Sequence, residues 1–185
     1  MSYVLVGAGR HSMAVVEAQA LAGAQLAGYI DPNPCDWLDG PRMDDAALEP
    51  GQAVVLGIGG IDPDQLARRL DLLGRYRGAG MAAPAVVHPA AWVSADARLE
   101  AGAIVLARAV VQPAAVIGCG AIVNTGAIVE HDSSIGDGSH VAPGAVVLGD
   151  CTVGAGCMIG AGAVVLPAAT VPAATLVKAI TRYPQ

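Results

Sequence analysis

The sequence of 185 residues contains no phenylalanine, and only 3% of its residues are aromatic. It has a single lysine, Lys178, and its formal net charge is −6. Nucleic acids and anionic membrane surfaces are bound mainly through clustered basic residues, so neither is expected as a partner. A core without large rings has to be built from Val, Ile, Leu and Ala, which suits a narrow β-structure.

Long apolar runs and paired cysteines are also missing. No uninterrupted stretch of about 18 apolar residues occurs, so no membrane insertion is expected. The opening residues, 1–12, lack a basic region followed by a cleavable apolar segment, and they are interpreted as a strand and turn. The cysteines form no Cys-x-x-Cys pair, which suits a reducing compartment, and a cytoplasmic location is expected.

A six-residue repeat runs through the second half of the chain without an insertion. From residue 87 to residue 177, every sixth position is Val, Ile or Leu, and the position four residues later carries a small side chain. A fixed period of this kind indicates a solenoid, and the six-residue period indicates a β-helix of short strands. The branched positions are Val87, Val93, Leu99, Val105, Val111, Ile117, Val123, Val129, Ile135, Val141, Val147, Val153, Ile159, Val165, Val171 and Val177.

The repeat predicts a prism in which three hexapeptides make one coil of about 18 residues. Successive coils stack as parallel strands about 4.8 Å apart. The branched and the small residues point inward, and Cys151 and Cys157 take small inward positions as core fillers. The chain resembles hexapeptide-repeat proteins, which are left-handed parallel β-helices, and this resemblance implies the handedness. We expect about five coils over residues 85–185.

Residues 1–84 do not follow the six-residue repeat, and their pattern predicts a small Rossmann-like α/β domain. Buried strands at 3–6, 26–30 and 53–58 alternate with helices near 13–22 and 63–76, which is typical of a parallel sheet. Residues 85–87 are expected to supply the last strand and to lead into the solenoid. At about 80 residues, this domain is too short for both halves of a dinucleotide fold, so a nucleotide-sugar suits it better than NAD.

A glycine-rich turn follows the first strand of this domain. Gly7 and Gly9 match a dinucleotide fingerprint in part, but Ser12 replaces its third glycine. Glycines let the backbone approach a phosphate, and a helix N-terminus attracts one. Asp31 ends the second strand, where such folds contact a sugar hydroxyl. The alternative is that these glycines only make tight turns.

Two histidines lie in the middle of the repeat, at positions that do not point inward. His131 and His140 are nine residues apart, so we expect them on the outer surface and on different faces of one prism. In a trimer of prisms, different faces of neighbouring chains meet, and both rings can line one groove. Asp132, or Glu130, can orient the His131 imidazole and raise its basicity. The alternative is two ordinary surface histidines.

Three segments resemble the NeuD/PglD-type sugar acetyltransferases, which are acyl-CoA-dependent enzymes of bacterial surface-sugar synthesis. The resemblance covers nearly the whole chain, and the paired-histidine segment is its most specific part. The segments are Gly7-Ala8-Gly9-Arg10-His11, Val87-His88-Pro89, and the stretch from Asn124 to Ala145 with its Glu130-His131-Asp132 and Ser139-His140-Val141 motifs.

The resemblance implies roles for individual residues. His131 matches the catalytic base and Asp132 the acidic residue that increases its basicity. His140 matches a histidine that hydrogen-bonds acetyl-CoA, and Gly149 and Ala161 match backbone positions along the pantetheine groove. The positions that match the nucleotide-sugar site are Gly9, Arg10, His11, Asp31, Pro32, Gly59 and Asn124. The resemblance further implies acetyl-CoA as cosubstrate and no metal. A homotrimer is predicted from the residues, because histidines on different faces of one prism need neighbouring chains to form one site and the flat Ala-rich sides are poor solvent-exposed surfaces.

The chain departs from the family pattern in three places. Arg10 replaces the usual glycine of the turn, and Ser12-Met13 removes a lysine near the phosphate. The segment 167–185 looks shorter than the family's last coil, which affects the outer end of the CoA site.

The sequence therefore leaves three functions open. The first is N-acetylation of an amino group on a nucleotide-sugar, with O-acetylation of a sialic-acid-type sugar as a close variant. The second is a γ-type carbonic anhydrase, which needs three histidines around zinc, whereas the solenoid offers His131 and His140 with His88 only at its start. The third is a non-catalytic solenoid.

Overall fold

The computed structural model describes residues 1–184, which form a small α/β unit followed by a parallel β-helix. The elements of the α/β unit are β1 (Ser2–Val6), α1 (Ser12–Leu21), β2 (Gln25–Ile30), β3 (Val54–Leu56) and α2 (Pro63–Gly78). The strands form a parallel sheet with the order β2-β1-β3. A 3₁₀ turn at Asp45–Ala47 lies between β2 and β3.

The start of helix α2 and its buried face both follow from the local sequence. The side chain of Asp62 accepts a hydrogen bond of 2.8 Å from the backbone N–H of Gln65, and Pro63 occupies the first turn. Both features favour a helix start. The buried residues of α2 recur at helical spacing and form one inward face. They are Leu66, Arg69, Leu73 and Tyr76.

The second unit is made of two-residue strands in three parallel sheets of six, six and five strands. Ile122 pairs with Ile104 on one side and with His140 on the other, so one coil takes 18 residues. This confirms the predicted coil and its register. The strands are β4 (Val86–Val87), β5 (Trp92–Val93), β6 (Arg98–Leu99), β7 (Ile104–Val105), β8 (Val110–Val111), β9 (Val116–Ile117), β10 (Ile122–Val123), β11 (Ile128–Val129), β12 (Ser134–Ile135), β13 (His140–Val141), β14 (Val146–Val147), β15 (Thr152–Val153), β16 (Met158–Ile159), β17 (Val164–Val165), β18 (Thr170–Val171), β19 (Leu176–Val177) and β20 (Arg182–Tyr183).

The core of the β-helix consists of the two residue classes that the repeat predicts. The branched residues and the small residues four positions later form one buried cluster along the prism axis. Cys151 and Cys157 belong to it and are buried, as expected. Burial of short aliphatic side chains in a continuous column stabilises every coil through its neighbours.

The last strand of the α/β unit differs from the prediction. Val86–Val87 does not join the front sheet but pairs with β7 and begins the solenoid. The front sheet therefore has three strands, and Ala53 makes a single bridge to Ala82 instead. The strand predicted at 53–58 is also shorter in the structure, where it spans Val54–Leu56.

The helix α2 lies along one corner of the β-helix. Glycines repeat at this corner in three successive coils, all with φ between +62° and +69°, and a Cβ on any of them would come within 3.1 Å of a leucine side chain of α2. Glycine therefore supplies both the left-handed turn and the room for the helix. These glycines are Gly102, Gly120 and Gly138.

Candidate active site

His131 and Asp132 form a hydrogen-bonded pair at the corner that follows β11. Nδ1 of His131 lies 2.8 Å from Oδ2 of Asp132. Because a carboxylate only accepts, Nδ1 carries the hydrogen, and Nε2 of the neutral ring keeps its lone pair. The Asp132 hydrogen bond raises the pKa of His131. The two side chains are 63% and 61% exposed, so the pair lies on the open surface of the protomer.

The backbone conformation of Asp132 places its carboxylate beside the ring. Asp132 has φ +59°, the left-handed region that aspartate tolerates better than most residues. Asp150, one coil later, has the same φ. The corner thus turns without a glycine, and the turn residue itself supplies the partner of His131.

Gly149 occupies the position of His131 in the next coil, and its missing side chain gives the imidazole its place. A Cβ on Gly149 would lie 2.8 Å from Cε1 and 2.9 Å from Nε2 of His131. The carbonyl of His131 accepts a hydrogen bond from Asp150 N–H at 3.0 Å, which fixes the spacing of the two coils here. Of the residues expected along the CoA groove, Gly149 therefore lies directly against the expected base.

His140 is placed differently from the expectation of an open outer surface. It lies on the outside of the prism at the start of β13, but the α/β unit covers it and leaves it 5% exposed. Nδ1 is 2.8 Å from the Gly60 carbonyl, and Nε2 is 2.9 Å from Nδ2 of Asn124. The Gly60 contact puts the hydrogen on Nδ1, and Asn124 donates to Nε2.

A cavity lies in the α/β unit, at the carboxyl ends of its strands. It measures about 550 Å³, and six of the seven residues predicted for the nucleotide-sugar line it. Asn124 is the exception, since it lies on the solenoid beside His140. The six are Gly9, Arg10, His11, Asp31, Pro32 and Gly59. The carboxyl ends of parallel strands are where α/β sheets bind ligands.

The glycine-rich turn and Asp31 are tied together by hydrogen bonds. Oδ2 of Asp31 accepts from Ala8 N–H at 2.8 Å, and Oδ1 accepts from Asn33 N–H at 2.9 Å. Gly7 has φ +87°, and a Cβ there would lie 2.3 Å from Cγ1 of Ile58. Asp31 therefore orders the turn as well as lining the cavity.

His11 connects the cavity to the solenoid. Its ring centroid is 6.4 Å from that of His140, and Gly59 lies against its other side. Burial, followed by the nearby His140 and Arg69, lowers the pKa of His11 to about 4. The pKa of His140 is also lowered, mainly by burial. Both rings are therefore neutral near pH 7.

Sequence reasoning missed Arg69, Asp45 and Tyr76. Arg69 is buried between the two units, and Tyr76 lines the cavity and donates a hydrogen bond to the Asp45 side chain. The signal for Arg69 and Tyr76 was available, because both share the helical spacing of Leu66 and Leu73. Asp45 comes from a stretch without periodicity and gave no signal.

Ala161 lies at another corner of the prism from His131 and Gly149. It is exposed in the turn after Gly160, and its carbonyl accepts from Ile180 N–H at 2.9 Å. One protomer therefore does not gather all the positions expected for acetyl-CoA at a single corner.

Residues 1–184 contain neither a metal-binding cluster nor a membrane-spanning helix. No group of three or more His, Cys, Asp and Glu side chains is placed to hold a metal ion. No helix in this part of the chain is long and apolar enough to cross a membrane.

The sequence matches the family described as bacterial transferase hexapeptide (six repeats) over residues 114–149 and 132–167. No protein of curated function matches the sequence closely enough to count as a relative. Both matched segments lie in the β-helix; the first contains the His131–Asp132 pair, and the second begins at Asp132.

Solved structures resemble the whole chain. The acetyltransferase domain of PglB from Neisseria gonorrhoeae is 28% identical with a TM-score of 0.89, and the alignment covers 98% of this chain and 90% of that one. PerB from Caulobacter crescentus, in complex with CoA and GDP-perosamine, is 30% identical with a TM-score of 0.88, covering 100% and 89%. WeeI from Acinetobacter baumannii, at 21% identity and a TM-score of 0.65, shares the fold. From its repeat, its two-unit fold and this full-length similarity, the chain belongs to the NeuD/PglD-type family of hexapeptide-repeat sugar acetyltransferases.

Proposed function

We propose that this sugar acetyltransferase moves the acetyl group of acetyl-CoA to an amino group of a nucleotide-activated sugar used in bacterial surface-glycan synthesis. The observation that carries the proposal is the His131–Asp132 pair, whose Nε2 is free to accept a proton. Relatives over the full chain support the two substrates: PglB has been solved with acetyl-CoA, and PerB with CoA and GDP-perosamine.

The chemistry needs a base and an oxyanion site. The amine nitrogen attacks the thioester carbonyl and forms a C–N bond, while Nε2 of His131 takes one proton from the amine. Collapse of the tetrahedral intermediate breaks the C–S bond, and the proton passes from His131 to the departing CoA sulfur. The products are an N-acetyl sugar and CoA. A backbone N–H in the groove stabilises the oxyanion.

The α/β unit, residues 1–84, is proposed to hold the nucleotide-sugar. The cavity lies beside the glycine-rich turn, which gives a phosphate access to the backbone, and Arg10 adds a positive charge to its lining. This charge stands where the family has a glycine, and it can replace the cation lost at Ser12-Met13.

The β-helix, residues 85–185, is proposed to hold acetyl-CoA along Gly149 and Ala161. Gln185 of this range lies outside the described residues. His140 is proposed to contact acetyl-CoA, and Asn124, which donates to Nε2 of His140 in the structure, is proposed to contact the nucleotide-sugar. A contact between His140 and acetyl-CoA requires Asn124 to release that nitrogen.

A homotrimer is proposed because the site is divided among different parts of the prism. His131 follows a strand of one sheet, and His140 begins a strand of another. Ala161 lies at a third place, so a groove that contains all of them has to form between neighbouring protomers. Light scattering is expected to give the trimer mass, and a monomer at micromolar concentration would contradict this arrangement. The cytoplasm, which holds acetyl-CoA and keeps thiols reduced, is the proposed location.

A thiol-release assay tests the function. Acetyl-CoA is incubated with UDP-, GDP- and CMP-linked amino and hydroxy sugars, and products are treated with hydroxylamine, which removes O-acetyl groups and leaves amides. Release of CoA with an amino sugar and a hydroxylamine-stable product supports the proposal. Turnover with hydroxy sugars alone assigns O-acetylation, and no turnover with any of them contradicts a nucleotide-sugar acceptor.

A further inference from the structure

Arg69 is buried at the junction of the two units. Its side chain extends from α2 and is 1% exposed, which is unusual for a charged residue. Among residues 1–184, the ion pairs are Arg98–Glu100 and His131–Asp132, so no carboxylate pairs with Arg69. A buried unpaired charge is unfavourable unless its hydrogen bonds are satisfied. Nε and Nη1 of Arg69 have partners, whereas Nη2 has none among residues 1–184, so these two bonds indicate what Arg69 holds.

Those bonds join two backbone segments that belong to different units. Nε donates to the carbonyl of Ile58 at 2.6 Å, and Nη1 donates to the carbonyl of Gly120 at a corner of the β-helix. The planar guanidinium fixes the angle between its donors, so it can set the spacing of two carbonyls more rigidly than a lysine can. Arg69 thus fixes the turn at 58–60 against the solenoid.

The same turn carries contacts to both halves of the site. On one side, Ile58 and Gly59 line the nucleotide-sugar cavity. On the other side, the carbonyl of Gly60 accepts the Nδ1–H of His140 at 2.8 Å. The turn has little freedom to shift, because a Cβ on Gly59 would lie 3.1 Å from Cγ of His11. Its position therefore decides how the ring of His140 is oriented.

The orientation of the His140 ring determines which hydrogen bond the side chain of Asn124 can make. With its hydrogen on Nδ1, His140 offers Nε2 as an acceptor, and Asn124 donates to it at 2.9 Å. Asn124 Oδ1 accepts from Thr125 N–H at 2.7 Å, so its amide orientation is defined as well. If Gly60 shifts, Nδ1 of His140 loses its acceptor, and the hydrogen bond from Asn124 to Nε2 is no longer held in place.

We propose that Arg69 is a positioning residue for acetyl transfer: it holds the turn at 58–60, and through Gly60 the ring of His140, in place against the β-helix. The effect on turnover rests on the acetyl transfer proposed above, whereas the effect on His140 does not. Arg69 touches neither His131 nor Asp132 in the hydrogen bonds of the structure, so its role is separate from the base.

The test uses Arg69→Met, with Arg68→Met as the matched control on the exposed face of the same helix. The chain has four histidines, so selective ¹⁵N-histidine labelling gives few signals, and His140→Asn assigns the Nδ1–H of His140. In the wild type and in Arg68→Met, this buried N–H is expected to exchange slowly with water. In Arg69→Met, we expect exchange at least about 10-fold faster, together with a kcat lower by about 10-fold or more, since small misplacements at a site are costly.

The outcomes separate the role of Arg69 from the proposed function. If Arg69→Met folds with an unchanged His140 signal, or with the kcat of Arg68→Met, the positioning role is wrong. If the wild type has no acetyltransferase activity, the proposed function fails while the His140 signal still reports whether Arg69 holds the ring. Should Arg69→Met fail to fold, Arg69→Lys carries the test. Lysine keeps the positive charge but lacks the planar guanidinium with its fixed donor angles. A wild-type kcat and a wild-type His140 signal in Arg69→Lys would overturn the proposal.

Discussion

The imidazole of His131 lies against Gly149 of the next coil, where a methyl group would come 2.8 Å from Cε1. Gly149→Ala should therefore displace the ring without disturbing the prism, because Gly149 has no left-handed φ. We expect kcat to fall on the order of 10- to 100-fold. Gly74→Ala is the control, since a Cβ there meets nothing within 4 Å. Equal kcat values for the two variants, from initial rates of CoA release, would show that the ring does not depend on Gly149.

Asp132→Asn should lower the pKa of His131, because the hydrogen bond to the carboxylate is the main cause that raises it. As the proposed base, His131 has to be neutral, so activity is expected to rise with pH as His131 loses its proton. In the variant this rise should move to lower pH, and the plateau rate should drop by less than it does in His131→Ala.

Asp150→Asn is the matched control for this change. Asp150 has the same backbone conformation one coil later and acts on His131 only through its charge. Its pH–rate profile should shift less than that of Asp132→Asn. Identical profiles for the two variants would contradict an orienting role for Asp132.

Gly9→Val should block the nucleotide-sugar and leave acetyl-CoA affinity nearly intact. Gly9 lines the cavity, and a Cβ there meets no atom within 4 Å, so the added side chain projects into open space and does not disturb the fold. Calorimetric titration of each ligand measures the two affinities, and the thermal unfolding midpoint checks the fold. An unchanged affinity for the sugar would show that the cavity is not its site.

Acid should destabilise the junction between the two units. The pKa of His11 is lowered from 6.5 to about 4, so the unfolded chain binds a proton in this range that the folded protein does not. Stability is therefore complete above pH 6.5 and falls as pH drops toward 4, by at most about 1.4 kcal/mol per pH unit for one group. Chemical unfolding at pH 7.5 and pH 5 should show a smaller difference in His11→Gln. The same difference in both proteins would contradict the assignment.

The repeat could be predicted in detail because each position of a β-helix has one environment. A six-residue period of branched residues determines the coil, the register and the inward faces, and Cys151 shows that even unusual residues follow it. The α/β unit was predicted less well. Val86–Val87 looks like a buried strand in either unit, and only its pairing with β7 decides between them.

The residues of the candidate site could likewise be predicted only in part. His131 and Asp132 are adjacent in sequence, so their pairing could be inferred from the chain alone. The burial of His140 could not, because it depends on Gly60, 80 residues away, and on how the two units pack. Arg69 was missed although it shares the helical spacing of its buried neighbours, and its partner Gly120 could not be inferred because it lies in the other unit, 51 residues away.

In the proposed reaction, Nε2 of His131 removes the proton of the attacking amine. The most direct measurement is the initial rate of CoA release by His131→Ala against the wild type, at saturating acetyl-CoA with the amino sugar that the wild type uses best. We expect the rate to fall by about 10²- to 10⁴-fold while acetyl-CoA affinity and the unfolding midpoint are retained. A His131→Ala enzyme that turns over the same amine at the wild-type rate would contradict the account.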